Sequence, residues 1–333
     1  MKKTVSFLLF LVFILTAFAV PGQTIKLGSL VPYGSPWEEE LQRMRLEWAE
    51  ISNNRVKLKI FPGGIAGGED DMLRKMRVGQ LQAAALTGPG LSQVFGGVLA
   101  LQIPLLVQTE QELDYLLETM GPTFEREMEK NGFKLLFWNM VGWAHIFSRE
   151  PVVYPDDMRR QKMWVMAGND EEAAAWKKMG FQVFVLPAQD VTVQLQNGGL
   201  DVMVTSPLVT VSSQWYEQTK HMAEFKFAPF VGGVIVPTGI WKRIPTALRS
   251  ELEAAAAETS DRMRSLTTTA NEEAISAMQK QGLVVNPIPD DAIGEWQKVI
   301  DKGLMEFVGG KFDVKYYEEA KRILEEFRRG HGR

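Results

Sequence analysis

Residues 24–61 read "TIKLGSLVPYGSPWEEELQRMRLEWAEISNNRVKLKIF", and the period of their apolar positions changes twice. The opening "TIKLGSL" alternates as a strand does. Trp37, Leu41, Met44, Trp48 and Ile51 then recur at the three- and four-residue spacing of one helix face. After the polar "SNN", Val56, Leu58 and Ile60 alternate with Arg55, Lys57 and Lys59, the pattern of a half-buried strand. The helix start is marked by Ser35 as a cap, Pro36 at the first position and Glu38 completing an S-x-x-E capping box. The opening is therefore a β-α-β unit, and the expected fold class is α/β.

The same grammar continues. A turn at "PGGIAGG" (62–68) leads into a helix from Glu69 to Val78 that stops at Gly79, and "LQAAALTGPG" is a buried strand running into a loop at Thr87-Gly88-Pro89. Later, "AQDVTVQLQNGG" reads as a helix ending at Gly198-Gly199, and "LDVMVTSP" as a strand ending in Thr205-Ser206-Pro207. Two lobes of similar build are implied. Ligands of open α/β sheets sit beyond the carboxyl ends of the strands, so both threonine-containing loops should face whatever is bound. Between the halves come a helix near 110–130, a strand at 133–138 and an aromatic loop, "NMVGWAHIFS". From Thr246 to Gln281 there is neither proline nor glycine. One helix of that length would be about 54 Å long, so it either crosses both lobes or breaks in two. "LVVNPI" gives a further strand, and two terminal helices follow.

The chain has 333 residues, 45% apolar and 23% charged, enough for two domains with their own cores. "MKKTVSFLLFLVFILTAFAV" sets two lysines before an apolar run that ends in small residues, the pattern of a secretory signal peptide, with cleavage after Ala19 or Gly22. No cysteine is present, which excludes a lipoprotein anchor, disulfides and thiolate chemistry. The expected mature protein is soluble and lies outside the cytoplasm. Without Lys2 and Lys3 it has 35 basic and 41 acidic side chains, a net charge of −6 with no long basic cluster, which argues against nucleic acid.

Signals for chemistry are sparse. "PGGIAGG" lacks the Lys-Ser/Thr of a phosphate loop and the spacing of a dinucleotide fingerprint. His145, His221 and His331 have no metal-ligand spacing, and the acidic runs at 38–40, 69–71 and 170–172 sit at helix starts, where they oppose the helix dipole. His145 reads as a hydrogen-bonded structural group. There is no G-x-S-x-G elbow. What the chain does have is bulky apolar side chains beside strand ends: Trp138, Trp143, Trp164, Trp215 and Phe230, with Met140, Met166 and Met203. Such residues pack cores and also line clefts.

Several stretches together resemble the periplasmic solute-binding proteins of tripartite ATP-independent periplasmic (TRAP) transporters, the DctP-like family. They are "LVPYGSPW" (30–37), residues 55–86, "IPLL" (103–106), "DDMRRQKMWV" (156–165), residues 176–201 and "WKRIP" (241–245), in the family's order over nearly the whole mature chain. The resemblance implies a type II periplasmic-binding fold: two α/β lobes, a ligand cleft between them and a long helix spanning both. It also implies a periplasmic location, no catalysis, no cofactor and no metal, and delivery of ligand to a TRAP membrane permease. Residues 1–22 would be the leader, 23–147 with about 232–260 the first lobe, and 148–231 with about 261–333 the second lobe and the C-terminal helices.

Where relatives usually read D-L-K-G-L-K-I-R-V-P, with the arginine pairing to the ligand carboxylate, Trp164 stands at the arginine position and Met166 at the proline. The sequence resembles a branch with an apolar clamp position, some members of which are associated with a periplasmic tetratricopeptide-repeat protein. The expected ligand is accordingly apolar or uncharged, since an indole offers one neutral donor and a broad apolar face. The alternative is a carboxylate held by a displaced cation such as Arg149 or Arg160. A sensor or scaffold component, and an enzyme on the same scaffold, are the readings from other classes. Candidate ligand-binding residues are Tyr33, Trp37, Thr87, Gly88, Trp143, Trp164, Met166, Thr205, Ser206, Pro207, Trp215 and Phe230.

Export with cleavage near residue 20 is expected from the charged start and small-residue end. Intact-mass measurement on protein from the native envelope checks it; a mass retaining Met1 to Val20 would refute the leader.

Overall fold

The computed structural model describes residues 22–331, so the leader, apart from Gly22, lies outside the described residues. In chain order the elements are β1 (Gln23–Ser29), α1 (Pro36–Ile51), β2 (Val56–Phe61), α2 (Glu69–Arg77), β3 (Ala83–Thr87), α3 (Gly88–Ser92), α4 (Glu110–Lys130), β4 (Phe133–Ser148), α5 (Pro155–Arg159), β5 (Lys162–Met166), α6 (Asp170–Lys178), β6 (Gln182–Leu186), α7 (Val191–Gln196) and β7 (Val202–Thr205). Then follow α8 (Pro207–Ser212), β8 (His221–Ala223), β9 (Ala228–Pro237), α9 (Thr238–Trp241), α10 (Thr246–Lys280), β10 (Val284–Asn286), α11 (Asp290–Lys311) and α12 (Val314–Gly330).

The opening unit forms as read. β1 lies parallel to β2 and β3, and Leu41, Met44 and Trp48 of α1 are buried beneath them. Ser35 caps α1 by accepting the Glu38 N–H at 3.3 Å. The reciprocal half of the expected capping box differs: the Glu38 carboxylate accepts from the Gly34 N–H at 3.4 Å, while the Ser35 N–H turns back to the Pro32 carbonyl.

The strand order is β2-β1-β3-β9-β4-β7-β5-β6, with β8 joining β4 to β10. β4 and β9 therefore belong to both lobes. β9 pairs antiparallel with β4 from Phe133/Pro237 to Ala144/Ala228, and at His145 the partner of β4 becomes β7. The segment expected as an aromatic loop, 139–148, is the second half of this strand. Two irregularities, at Leu135/Phe137 and Met140/Gly142, break the alternation on which a strand reading depends.

Each lobe is covered on both faces. In the first, one core gathers Ile25, Trp48, Val234 and Leu252 under α1 and the start of α10; the other gathers Met72, Leu101, Phe124 and Ile323. In the second, Met163, Trp176 and Trp296 share one core, and Phe147, Trp164, Trp215 and Met278 the other. The question of one long helix or two resolves as a single α10 of 35 residues, about 52 Å at 1.5 Å per residue. Its start packs in the first lobe and its end, through Ala274 and Met278, in the second. α11 bridges in the same manner: Trp296 and Ile300 lie in the second lobe's core, Leu304 and Val308 in the first lobe's. α12 buries Ala320, Ile323 and Leu324 in the core that also holds Met72, Leu101 and Phe124 of the first lobe.

An ion pair fastens that last helix. Arg328 of α12 reaches Glu112 of α4 at 2.8 and 3.0 Å and donates to the Leu106 carbonyl. Burial pushes the Glu112 carboxyl up, but the Arg328 hydrogen bond and charge, with the Gln108 N–H, outweigh it and hold the carboxyl below its ordinary value. Arg328→Ala leaves a 1% exposed carboxylate without its cation. Because the arginine is itself partly exposed, we expect a loss of about 2–3 kcal/mol in denaturant titration, below the range for a fully buried pair. The lowered value means the stabilisation is complete above the ordinary carboxylate range and fades as pH falls through the folded value. The difference between wild type and variant should therefore shrink in acid.

Candidate ligand-binding cleft

Where β4 changes partners, the strand carries Gly142 with φ +122°. A Cβ there would come within 2.6 Å of Asn271 Nδ2 on α10. Only glycine allows this approach and this backbone angle together. Asn271 in turn donates to the Thr267 carbonyl at 2.8 Å and accepts from the Leu208 N–H at 3.1 Å, so one side chain ties α10, the bulge and the start of α8.

Beside this junction lies a hollow of about 470 Å³ including its mouth, lined by Met140, Gly142, Trp143, His145, Pro207 and Lys226, by Glu110, and by Thr267, Thr268, Asn271, Glu272 and Ile275 of α10. Only about 100 Å³ of this is enclosed, less than the roughly 300–1,000 Å³ usual for a ligand site. Its deep wall is apolar and its rim charged. Lys226 lies over the Trp143 ring, 4.8 Å from the centroid. Trp143 is 6% exposed, and its indole N–H has no hydrogen-bond partner. A buried donor left unpaired costs about 1–3 kcal/mol. The stacked ammonium returns about 0.5–1 kcal/mol at an exposed position.

His145 faces Thr205 across the β4–β7 pair and donates from Nδ1 to the Ala223 carbonyl at 3.3 Å. A carbonyl only accepts, so Nδ1 carries the hydrogen. Burial and the Lys226 charge push the imidazole down to about 4, against a weaker opposing pull from the Ala223 and Phe225 carbonyls.

The expected site residues divide. Trp143 and Pro207 come together at the hollow. Trp37 reaches its edge, donating to Thr267 Oγ1 at 2.8 Å. Phe230 sits opposite Gly142 on β9 and packs against the second-lobe core. Trp164, expected to offer a broad face, is 8% exposed: its N–H donates to the Leu186 carbonyl at 2.9 Å and its ring meets Trp215 edge-on at 5.5 Å. The Trp215 N–H donates to Thr192 Oγ1. Both indoles are anchored in the core of the second lobe.

At the β3 end, Thr87 is engaged by the protein itself, its hydroxyl and N–H donating to the Glu69 carboxylate, beside buried Gly88. Burial raises the Glu69 carboxyl although these donors oppose it. Thr205 and Ser206 are buried, and Ser206 Oγ caps α8 by accepting from Val209. Tyr33 (83% exposed) and Met166 (47%) stand free at the strand ends. The displaced cations proposed from sequence are engaged elsewhere: Arg149 with Asp201 and the Leu195 carbonyl, Arg160 with Asp157. Lys226 and the α10 wall were missed. The available signal was the i, i+4 series Thr267-Asn271-Ile275 and Thr268-Glu272 on a long helix.

The lowered value for His145 gives a titration test. Its ring resonances should stay flat from pH 8 to about 5, since the unfolded value is near 6.5 and the folded value far lower. The neutral ring's contribution to stability is complete above the unfolded value and falls as acid protonates the unfolded chain. A midpoint near 6.5 in NMR would contradict the burial account.

Among the described residues no helix is long and apolar enough to cross a membrane, and no cluster of side chains could hold a metal ion. The solved TRAP periplasmic solute-binding protein of Ochrobactrum anthropi superposes with a TM-score of 0.83 at 19% identity, covering 92% of this chain and 96% of that one. That of Haemophilus influenzae, with bound L-gulonate, gives 0.79 at 21%, covering 92% and 99%. These likenesses establish the two-lobed fold. In sequence, a solute-binding protein of Albidiferax ferrireducens is 24% identical over 87% of this chain and 85% of its own. The C4-dicarboxylate-binding periplasmic protein DctP of Rhodobacter capsulatus is 23% identical over 75% and 76%. Residues 27–309 match the family described as bacterial extracellular solute-binding protein, family 7. The family consists of solute-binding proteins rather than enzymes, and to it, as a DctP-like member, this chain belongs.

Proposed function

We propose that this subunit is exported, loses its leader without being lipidated, captures an apolar or uncharged organic molecule between its lobes and hands it to a TRAP permease. The observation that carries the ligand class is the state of the clamp position. Trp164 offers no charge, its single donor is bound to Leu186, and Arg149 and Arg160 are committed to Asp201 and Asp157. A carboxylate desolvated there without a cation would lose several kcal/mol. A tetratricopeptide-repeat partner forms no part of the proposal.

A second reading has its own support. Lys226 stands at the rim of the hollow, and related proteins have been solved with bound uronates and L-gulonate. Lys226 would then be the displaced cation.

Mass spectrometry of what co-purifies with the mature protein, followed by calorimetry against neutral and carboxylate solutes, separates the two. The first reading expects a neutral ligand, no binding of simple carboxylates, and a smaller scattering radius for the complex as the lobes close. Tight carboxylate binding that falls by about tenfold or more in Lys226→Ala would establish the second, a loss on the scale of one charge-assisted contact.

A further inference from the structure

The turn "IPLL" (103–106) holds the one apolar side chain among the described residues, glycine aside, whose backbone lies in the left-handed region: Leu105, with φ +58°. The other such residues are Asn53, Asn54 and Gln214. The Leu106 N–H closes the turn on the Ile103 carbonyl at 3.2 Å, which puts Pro104 second and Leu105 third. That is the arrangement of a type II turn, whose third position ordinarily belongs to glycine or asparagine. A leucine there costs free energy that the surrounding contacts must outweigh.

Those contacts are divided between the lobes. Ile103 and Val107 are buried in the first-lobe core with Leu101 and Phe124, and Leu106 packs against it. Of residues 103–107, Leu105 alone lies in the second-lobe core, with Ala144, Trp176 and Phe227. Its N–H donates to the Phe227 carbonyl at 2.8 Å, and the Phe227 N–H donates in turn to the Ala144 carbonyl of β4. From the first-lobe side, Arg328 donates to the Leu106 carbonyl at 2.7 Å. A change of φ at 105 would redirect both the side chain and the N–H, and the two cores would lose this tie.

We infer that Leu105 is a peg that sets the angle between the lobes, its left-handed backbone retained because that conformation carries a first-lobe turn into the second-lobe core. α10 joins one pair of cores and α11 the other. Packed helices slide past their neighbours by small steps in shear motions. The peg opposes such sliding on the α11 side, where it enters the same core as Trp296 and Ile300. The width of a cleft between two lobes follows from their angle, so Leu105 is a positioning residue acting from within the core. This role is independent of the ligand's charge.

The chain has no cysteine, so Ile65→Cys in the first lobe and Val193→Cys in the second, 73% and 54% exposed, take spin labels at two sites alone. Pulsed electron–electron resonance then reads the distance between the lobes in the ligand-free mature protein. With Leu105 intact the distribution is narrow. Leu105→Ala and Leu105→Gly broaden it about twofold or more, or shift its mean. Leu113→Ala, which empties a buried site within the first-lobe core alone, leaves it unchanged. The backbone supplies a second readout: glycine adopts a positive φ freely, so Leu105→Gly unfolds at a denaturant midpoint equal to or above that of Leu105→Ala. Distances unmoved in both Leu105 variants, or equal broadening by Leu113→Ala, overturn the inference. So does a Leu105→Gly midpoint below that of Leu105→Ala. Should neither variant fold, hydrogen exchange in the wild type decides. The Leu105 amide then exchanges as slowly as that of Ile146 in β4, and exchange at the rate of exposed turn amides overturns the peg.

Discussion

The close approach of Asn271 to Gly142 is the constraint on which the rest of this molecule depends. β4 must serve two half-sheets whose neighbours differ, β9 on one side of the change and β7 and β8 on the other. A regular strand would keep its register and pair with one set throughout. The bulge between Met140 and Gly142 adds the local twist, and the positive φ of Gly142 is tolerated because no Cβ competes with the Asn271 amide. The same amide holds the first turn of α8, which follows Thr205 and Ser206. The hollow, the change of partner along β4 and the long helix thus meet around one asparagine.

Two helices contribute to the cores of both lobes. α10 runs from the core around Leu252 to that around Met278, and α11 from the core around Trp296 to that around Val308. The middle of α10 is further held by Arg262, which bonds Glu40 and Glu47 of α1, and by Arg264 on Asp114 of α4. These pairs are partly exposed, so each contributes modestly. They set the register of a helix whose small apolar residues, such as Ala255 and Ala256, give it little shape of its own to lock against its neighbours.

The polar interior separates structural groups from available ones. Trp164, Trp215 and Trp296 each donate to a named oxygen, and Thr87 to Glu69. Those side chains shape the lobes. Trp48, Trp138 and Trp143 have buried indole N–H groups without a partner, and of these three it is Trp143 whose ring lines the hollow, under an exposed lysine. A buried polar group without a partner is uncommon in proteins.

The β-α-β opening, the long uninterrupted helix and the absence of cysteine or a metal-binding pattern followed from the sequence, because periodicity, capping residues and composition act over a few neighbouring positions. The resemblance of scattered motifs then indicated two lobes, since each motif keeps its place in chain order. Tertiary structure alone decided that 139–148 is a strand, that α12 packs on the first lobe, and that Trp164 turns its donor to Leu186. It also decided that Lys226 and α10 wall the hollow. Each of these joins residues tens to hundreds of positions apart, and bulges at Leu135/Phe137 and Met140/Gly142 erase the local alternation that would announce the strand. An indole reads identically in sequence whether it is packed within a core or lines a hollow; only the packing around it distinguishes the two.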